Sequence, residues 1–600
     1  MRLLLEQPVR MLAEVSGLDS LAATSTWLTK LDWGFTDTND VRVDFDLTVN
    51  DLVFEAVLIF PSLFPQAPAY VRPRNTGEMW SAHQYASTGT LCLEWGPDNW
   101  HSDLTGADLV VSTHKLLAYE NLDPLVNVVA PSRHELTLGQ RLRAEYRRFL
   151  VTPQLLAALQ ASDRTVPLPL AVGTLHRRTE LVAVATQLGD DAAPISLGIP
   201  GEIGDPAASS SWVRKGWVVW CDEWESTLTL AKEQAVLRDF LKSKGCWPWS
   251  DDELQSGFLL LVDDELRLRP LALMPNTDEN SVLDYFPVDC TDKGQVRQPS
   301  RNEALAQKKV AIVGLGSVGS KVALSLARSG VTRFLLIDDD ILKPSNLTRN
   351  QLDWSLVGYD KVGAMESSIK LVQPGADVER RTQRLAGQES SASNTTLLEQ
   401  IAVCDLVIDA TANPRAFSLL AAICTRRKVP LVWGEVFAGG IGALIARSLP
   451  GVDAEPLDIR KAIYGSLAGM PEAPFKHVQT YDAEVDDVVF VAGDAEVSAL
   501  AASLSQFIID SLIGEQVLRF PNAAYLIGYQ KAWIFEAPFD TLAIPCPSAV
   551  EDLAEQEDTQ ASVTALGELI SVFGKKNADG EHSPGGSADI AQGAHDRWFQ

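Results

Sequence analysis

Apolar residues recur at every second position in two neighbouring stretches near the start of the chain, and each stretch predicts a strand with one buried face. The apolar positions are Val41, Val43, Phe45, Leu47 and Val49 in the first stretch, and Phe54, Ala56, Leu58 and Phe60 in the second. From Thr105 onwards the apolar residues recur at helical spacing, which predicts a helix with one apolar face. We therefore predict an α+β domain over residues 1–158.

Two further regions and a tail follow this domain, so the chain is predicted to be a multidomain protein with α/β and α+β parts. Residues 159–295 contain strand-like runs and a group of tryptophans, and they predict a small α+β linker domain without a catalytic motif. Packing within and between domains is one interpretation of the tryptophans, and a partner-binding face is the other. Residues 296–573 are predicted to form one domain, in which residues 296–546 alternate strand and helix, as a doubly wound parallel sheet does. Residues 574–600 are rich in Gly, Ser, Asp and His and are predicted to be disordered.

Charge and cysteine content restrict the partners and the compartment. The formal net charge of −28, from 51 basic and 79 acidic side chains, disfavours nucleic acid and anionic membranes as partners. No stretch of about 18 residues is apolar throughout, so a membrane-spanning helix is not expected, and the N-terminus lacks the apolar core of a secretory signal. The seven cysteines include no Cys-x-x-Cys pair, which argues against a disulfide framework and a four-cysteine zinc site. We therefore predict a cytoplasmic protein with free thiols.

A glycine-rich loop marks the start of the C-terminal region. Gly314, Gly316 and Gly319 follow the apolar strand 310–313 and open a helix, so the loop and the helix N-terminus are suited to cradle phosphate. The next strand ends in Asp338, which is placed to bind a ribose hydroxyl. This pattern alone fits a nicotinamide-dependent dehydrogenase as well as an ATP-dependent enzyme.

The residues that follow Asp338 separate these two functions. Hydride transfer does not need Arg349 and Lys361, whereas adenylyl transfer builds negative charge on phosphate oxygens that such cations stabilise. With Asn346, the set resembles the ThiF/MoeB-type adenylation domain shared by ubiquitin-activating enzymes and bacterial sulfur-carrier activators. The resemblance implies ATP as cofactor, with Asp338 on the ribose, Arg349 and Lys361 on the phosphates, and Asn346 nearby. A charged-surface role for the two cations is the alternative.

The chain departs from this family at the expected magnesium site. The family's Asp-x-Thr-Asp-Asn segment is here Asp409-Ala-Thr-Ala412-Asn413, without the second aspartate. Asp409 or Asp340 is the remaining candidate ligand for Mg²⁺.

Two more expectations follow from the resemblance. Family dimers lend an arginine across the interface from just before the first strand, which implies a homodimer with Arg301 or Arg297 in this role; a plain surface role is the alternative. The zinc cysteines of the sulfur-carrier activators are absent, and their absence favours a ubiquitin-like relay.

A second motif surrounds Cys92 in the first domain. Cys92 lies in a Gly-Thr-Leu-Cys-Leu segment, after a proline-rich turn at 60–68 and before Trp100 and Thr105. This arrangement resembles the active site of ubiquitin-conjugating enzymes, and it implies that Cys92 carries an acyl group as a thioester. A buried structural cysteine is the alternative.

The residues expected to assist Cys92 differ in part from the family pattern. Where the family has His-Pro-Asn, this chain has His83-Gln84-Tyr85. His83, Gln84 or a backbone amide can stabilise the oxyanion, and a structural role is the alternative for His83. Asp123 stands where the family has an acidic residue that orients or deprotonates the incoming lysine. His101 is a second candidate base.

Cys546 is predicted to be the first acyl acceptor. It lies between two prolines, which favour an extended segment. Residues 548–551 match a capping box, so a helix is expected to begin directly afterwards and its dipole to lower the thiol pKa. An inert loop cysteine is the alternative, while Cys404 and Cys424 have the surroundings of core residues.

The combination resembles the fused activating–conjugating proteins of bacterial CBASS anti-phage operons, which also encode a cGAS/DncV-like nucleotidyltransferase (CD-NTase). The resemblance implies ATP-dependent activation of the nucleotidyltransferase's C-terminus, a relay from Cys546 to Cys92, and ligation to a lysine amine of a target protein. Two alternatives are a sulfur-carrier adenylyltransferase with a non-catalytic appendage, and a nucleotide-binding scaffold without thioester chemistry. A nicotinamide oxidoreductase is the weakest alternative, since no hydride-handling pocket is indicated.

Overall fold

The fold is that of a computed structural model. The residues it describes are 2–85, 87–120, 130–131, 138–142, 145–177, 180–190, 192–199, 211–222, 224, 233–250, 255–274, 281–290, 298–472, 476–477, 482–485, 488–514, 517–549 and 564–570. The chain divides into two compact units, Met1–Tyr146 and Arg147–Gln600.

The first unit contains one antiparallel sheet and its helices. Its elements are α1 (Arg2–Glu6), α2 (Pro8–Thr24), β1 (Leu28–Phe35), β2 (Val41–Val49), β3 (Leu52–Phe60), β4 (Tyr70–Pro73), α3 (Gly106–Glu120) and α4 (Leu138–Arg141). The strands follow the order β1-β2-β3-β4. The predicted strands and the helix after Thr105 are confirmed, and every predicted apolar position of β2 is buried.

A buried carboxylate joins the two long helices of this unit. Glu14 on α2 accepts a hydrogen bond from the Gly106 amide at 2.7 Å, at the start of α3. A side chain at Gly106 would meet the Phe60 ring at 2.7 Å, so only glycine allows α3 to pack this closely. The start of α3 therefore has a fixed position over the sheet that precedes Cys92.

The second unit begins with a mixed sheet. Its elements are β5 (Arg147–Val151), α5 (Pro153–Ala161), β6 (Leu168–Arg177), β7 (Glu180–Leu188), β8 (Ile195–Ser196), β9 (Ser211–Trp220), α6 (Gln234–Ser243), β10 (Gly257–Val262), β11 (Leu268–Leu273), β12 (Val282–Asp284) and β13 (Phe286–Asp289). The strand order is β12-β11-β10-β9-β6-β7-β5-β13, with β8 paired to β7. Because β5 pairs in parallel with β7 and β13, the first unit ends before the boundary predicted at 158.

Several of the tryptophans pack in this part of the chain, in agreement with the packing interpretation. Trp217, Trp247 and Trp249 lie against an apolar cluster that also holds Cys221 and Cys246. The thiols of these two cysteines lie close enough to influence each other, a proximity that their separation in sequence did not reveal.

The remaining part of the second unit contains a doubly wound sheet, as predicted, and a separate three-stranded antiparallel sheet within residues 476–491. Its elements are β14 (Lys309–Val313), α7 (Ser317–Arg328), β15 (Arg333–Ile337), α8 (Lys361–Val372), β16 (Asp377–Arg381), α9 (Ser391–Ile401), β17 (Leu406–Asp409), α10 (Pro414–Arg427), β18 (Leu431–Phe437), β19 (Gly442–Ser448), α11 (Pro456–Ala468), β20 (Lys476–His477), β21 (Asp482–Val485), β22 (Val488–Val491), α12 (Asp494–Ile513), β23 (Ala524–Gly528) and β24 (Thr541–Ala543). Short 3₁₀ helices span Ser300–Gln307, Pro344–Thr348, Trp354–Leu356 and Ala438–Gly440.

The order of this sheet creates a crevice. The order is β16-β15-β14-β17-β18-β19-β23-β24, and the first five strands run parallel. The chain moves outward from β14 to β16 and then returns to the other side of β14 with β17. Ligands of doubly wound sheets bind beyond the carboxyl ends of the strands at such a switch point.

Helix α12 is, within the described residues, long and apolar enough to cross a membrane by length and composition. Its Leu500, Leu504, Phe507 and Ile508 are fully buried in the core of the doubly wound sheet. Burial against the sheet therefore accounts for its apolar composition.

Candidate functional site

A cleft of about 670 Å³ lies at the carboxyl ends of β14, β15 and β17. It brings together most of the residues predicted to bind nucleotide: Gly314, Gly316, Asp338, Asp340, Asn346, Arg349 and Lys361 all line it. Gly319 and Arg301 lie outside its wall. The roles of these residues stay predictions, while their convergence on one cleft is a feature of the fold.

Glycine is favoured at each of the three loop positions for a different structural reason. Gly314 has a φ of +88°, and a side chain there would lie 2.8 Å from the Ala410 carbonyl oxygen. A side chain at Gly319 would lie 1.9 Å from the Gly314 oxygen. Gly316 has no atom within 4 Å of a side-chain position, and it precedes the first turn of α7 without a capping side chain. Gly316 thus keeps backbone amides at the positive end of α7 open to an anion.

Asp338 organises this loop. One of its carboxylate oxygens accepts a hydrogen bond from the Leu315 amide at 2.6 Å, and the other accepts one from the Asp340 amide at 2.9 Å. The carboxylate therefore ties the glycine loop to the end of β15 and remains in the cleft wall, where its unused lone pairs suit a ribose hydroxyl.

Lys361 places a buried positive charge beside the loop. It is 7% exposed, and its Nζ contacts the Asp340 carboxylate at 2.8 Å, which Lys343 also contacts at 3.1 Å. Burial acts to raise the pKa of Asp340, but the hydrogen bonds from the two lysines outweigh it and bring the pKa below its ordinary value. The pairing holds the Lys361 side chain in the cleft.

Arg349 and its neighbours complete the polar wall. Arg349 donates to the Ala492 carbonyl oxygen at 3.1 Å, just before α12, while the Asn346 side chain accepts from the Lys343 amide at 2.9 Å. Asn350 donates to the carbonyl oxygens of Leu315 and Gly316 at 3.1 and 3.3 Å. The sequence motif assigned no role to Asn350, although its position directly after Arg349 was an available signal.

The cleft has further lining residues that the motif did not indicate. They are Gln383 and Arg384 after β16. Asn413, the last residue of the family segment at 409–413, also lines the cleft, at the start of α10. Gln383 and Arg384 are distant in sequence from the glycine loop, and only the parallel pairing of β15 with β16 brings them to it.

The two predicted magnesium ligands occupy different positions. Asp340 lines the cleft but is paired with two lysines. Asp409 is not in the cleft wall: it is 6% exposed, and one of its oxygens accepts from the Thr411 amide and hydroxyl at 2.9 and 2.6 Å. Burial raises the pKa of Asp409. Among the described residues no group of three or more His, Cys, Asp or Glu is arranged to hold a metal, so the residues do not form a preformed Mg²⁺ site.

The cleft does fit ATP. The open side of Gly316 leaves room for phosphate against the backbone, and Arg349 and Lys361 supply positive charge in the same wall. Arg301 lies in the 3₁₀ helix Ser300–Gln307. Its role across a dimer interface stays a prediction. Arg297, the other candidate, lies outside the described residues.

Cys92 follows a tight turn in the first unit. Its amide donates to the His83 carbonyl oxygen at 2.7 Å, and its thiol is half-buried and hydrogen-bonded to Tyr85. Burial raises the pKa of the thiol, and the hydrogen bond from Tyr85 lowers it by a smaller amount. Tyr85 is a candidate that sequence reasoning missed.

Two of the predicted helpers of Cys92, Gln84 and His83, have other side-chain partners in the structure. Gln84 was a candidate for the oxyanion, but its amide group donates to the carbonyl oxygens of Glu78 and Gly89 at 2.8 and 3.1 Å. The His83 ring contacts the Ala130 carbonyl oxygen through Nε2. Asp123 lies outside the described residues.

Cys546 lies on an extended segment, as predicted. Flanking backbone groups pair with residues 452–454, because Ala454 donates to the Pro547 oxygen at 3.1 Å and Ala549 donates to the Val452 oxygen at 3.0 Å. Burial, with a smaller contribution from Asp453, raises the pKa of Cys546 to about 11. The expected lowering of this pKa is therefore wrong, and the start of the helix expected to cause it lies outside the described residues. Cys404 and Cys424 are buried core residues.

The part of the chain that contains the cleft is similar to one known protein family. A profile of the ThiF family matches residues 293–459. Uncharacterized protein y4oA of Sinorhizobium fredii is 32% identical over 157 residues, which cover 25% of this chain and 26% of that protein. The ATP-dependent ubiquitin transferase-like protein Cap2 of Enterobacter hormaechei subsp. hoffmannii is 31% identical over 131 residues, 22% of this chain and 21% of that protein.

An adenylyltransferase and a solved structure are also similar. The sulfur carrier protein ThiS adenylyltransferase of Escherichia coli is 31% identical over 150 residues, 25% of this chain and 56% of that protein. The crystal structure of E. coli MccB with ATP has a TM-score of 0.32 and 18% identity over 41% of this chain and 67% of that one. The chain spans about a quarter of the length of the first curated relatives it matches. Residues 293–459, which contain the glycine loop, Asp338 and Lys361, are thus the part of this chain that is similar to the ThiF family of adenylating proteins.

Proposed function

We propose that this chain uses ATP to activate the C-terminal carboxylate of a partner protein and then transfers the acyl group through its own cysteines. The acyl adenylate forms in the cleft, Cys546 takes the acyl group as a thioester, Cys92 receives it next, and a lysine amine of a target protein accepts it. The partner is a cGAS/DncV-like nucleotidyltransferase, and the ligation primes anti-phage signalling in the cytoplasm.

The observation that carries this proposal is the combination of an open glycine loop with two cations in one cleft. ATP, when bound, would supply the α-phosphate that the carboxylate attacks, with pyrophosphate as the leaving group. Lys361 and Arg349 then provide positive charge for the phosphate oxygens, which gain negative charge in the transition state. Lys361 is buried, so its charge is screened by solvent less than a surface lysine's charge would be.

ATP–pyrophosphate exchange tests the adenylation step. Lys361→Ala or Arg349→Ala is expected to lower the exchange rate about a hundredfold, since one such contact contributes ~3 kcal/mol. Lys370→Ala is the matched control for Lys361, because Lys370 lies on the same helix but pairs with Glu366 on the surface. Normal exchange in both cleft variants would contradict the phosphate site.

The relay is tested on non-reducing gels with ATP and a purified nucleotidyltransferase. Cys546→Ala should still exchange pyrophosphate but form no thioester on either cysteine. Cys92→Ala should retain a thiol-sensitive adduct on Cys546 and yield no final conjugate. The exposed Cys290 supplies the control substitution Cys290→Ala. Normal loading of Cys92 in Cys546→Ala would instead indicate direct transfer, or transfer through Cys404 or Cys424.

A sulfur-carrier adenylyltransferase is the second candidate, favoured by the similarity to the ThiS adenylyltransferase. It predicts pyrophosphate exchange without any enzyme-bound thioester, so the same gels distinguish the two functions.

A further inference from the structure

The turn before Cys92 brings one side chain to its sulfur. Gln84 and Leu91 form an isolated antiparallel bridge, and the Tyr85 amide donates to the Thr90 carbonyl oxygen at 2.9 Å. With the bond from the Cys92 amide to His83 at 2.7 Å, these contacts place His83 opposite Cys92 and Tyr85 opposite Thr90. Tyr85 is therefore the diagonal neighbour of Cys92, a spacing that an aromatic side chain can bridge. The Tyr85 hydroxyl donates a hydrogen bond to the Cys92 thiol.

The other side chains of this turn are engaged elsewhere. The Gln84 amide makes its two donor bonds to Glu78 and Gly89 and accepts one from the Trp80 amide at 2.8 Å. Tyr85, in contrast, is 56% exposed, so much of its side chain is accessible to an incoming substrate.

We propose that Tyr85 is a catalytic residue that donates a hydrogen bond to the Cys92 sulfur as that sulfur leaves the acyl group. This inference rests on the proposed function. A target amine attacks the thioester carbonyl carbon, the C–N bond forms, and the C–S bond breaks with its electron pair on sulfur. The amine proton passes to solvent base, and Tyr85 keeps its own proton while it stabilises the thiolate.

The physical reason lies in the surroundings of the sulfur. Cys92 is half-buried, so water solvates a departing thiolate incompletely, and the tyrosine hydroxyl supplies part of the missing solvation. Hydrogen bonds to charged groups are the stronger class, and removal of this one is expected to slow the discharge of the thioester roughly ten- to a hundredfold.

Tyr85→Phe tests the inference because it removes only the hydroxyl of an exposed side chain. Two rates are measured: alkylation of Cys92 by iodoacetamide as a function of pH, and single-turnover discharge of the Cys92 thioester to free lysine. The variant is expected to shift the alkylation profile to higher pH and to discharge roughly ten- to a hundredfold more slowly. Tyr119→Phe is the control, since Tyr119 is also exposed in this unit but lies on α3.

The outcomes separate the two proposals. If the unaltered protein forms the Cys92 thioester and Tyr85→Phe discharges it at the normal rate, the role of Tyr85 is overturned, even if the alkylation profile shifts. If the unaltered protein forms no thioester on Cys92, the proposed function fails, and the catalytic role fails with it.

Discussion

Buried ionisable groups show how strongly the surroundings of one residue change its chemistry. Burial raises the pKa values of Asp409, Cys404, Cys424 and Cys546. The protonated form of each is therefore favoured relative to the same side chain in water. For a thiol that is expected to act as a nucleophile, this has a direct kinetic consequence.

Alkylation of Cys546 should depend steeply on pH. Its pKa of about 11 leaves a small thiolate fraction at neutral pH, so the alkylation rate should keep rising between pH 8 and pH 10. Mass spectrometry of the modified peptide measures this rate, and a second peptide containing the exposed Cys290 provides the reference in the same sample. A plateau below pH 8 would contradict the raised pKa.

Asp409→Asn should stabilise the protein at pH 7. Asparagine keeps the oxygen that accepts from Thr411, but it removes a charge that burial disfavours. Because the folded-state pKa is raised, the unaltered protein loses stability as pH rises above the unfolded value of about 4. The variant should therefore gain on the order of 1 kcal/mol at pH 7 and nothing below pH 4. Denaturant unfolding at both pH values measures the difference, and an unfolding free energy lower than normal at pH 7 would contradict it.

The loop between β14 and α7 combines structural and functional demands in one element. Gly314 and Gly319 are required by close backbone contacts, whereas Gly316 borders the open cleft. The sequence motif does not distinguish the roles of the three glycines. Substitutions can separate their roles.

Gly314→Ala should reduce the stability of the fold, whereas Gly316→Ala should reduce the affinity for ATP. Gly314→Ala combines a positive φ with a 2.8 Å contact to a carbonyl oxygen and should destabilise the fold by more than ~2 kcal/mol. Gly316→Ala has space and a φ of −70°, so its melting temperature should be nearly normal while its methyl group weakens ATP binding. Thermal unfolding and calorimetric titration with ATP measure the pair. Normal ATP affinity in Gly316→Ala would exclude phosphate binding against this backbone.

For the whole molecule, we propose a homodimer in which Arg301 acts in the partner's cleft. Arg301→Ala and Lys361→Ala should each be inactive in pyrophosphate exchange alone. When the two are mixed and allowed to exchange subunits, half of the dimers carry one complete site, so about a quarter of the normal activity should return. Light scattering gives the oligomeric state. A 65.3 kDa species, or no recovery in the mixture, would contradict the proposal.

Periodicity and local motifs were sufficient for much of this protein. The alternating residues of β2, the helix after Thr105 and the glycine loop between a strand and a helix are all found where the sequence predicts them. These features depend on interactions among neighbouring residues, so a short window of sequence contains their cause. The same holds for the mixed α/β class, since the alternation of strand and helix repeats along residues 296–546.

Other features depend on contacts between distant segments, and only the tertiary structure decided them. Gln383 reaches the cleft through the pairing of β16 with β15. Asp409 is buried and is not part of the cleft wall. Burial, with a smaller contribution from Asp453, raises the Cys546 pKa that a local helix was expected to lower. The sequence by itself determined which chemical groups are available and which elements carry them. Burial and long-range pairing decided which groups meet and in which protonation state, because solvation and charge act through space and not along the chain.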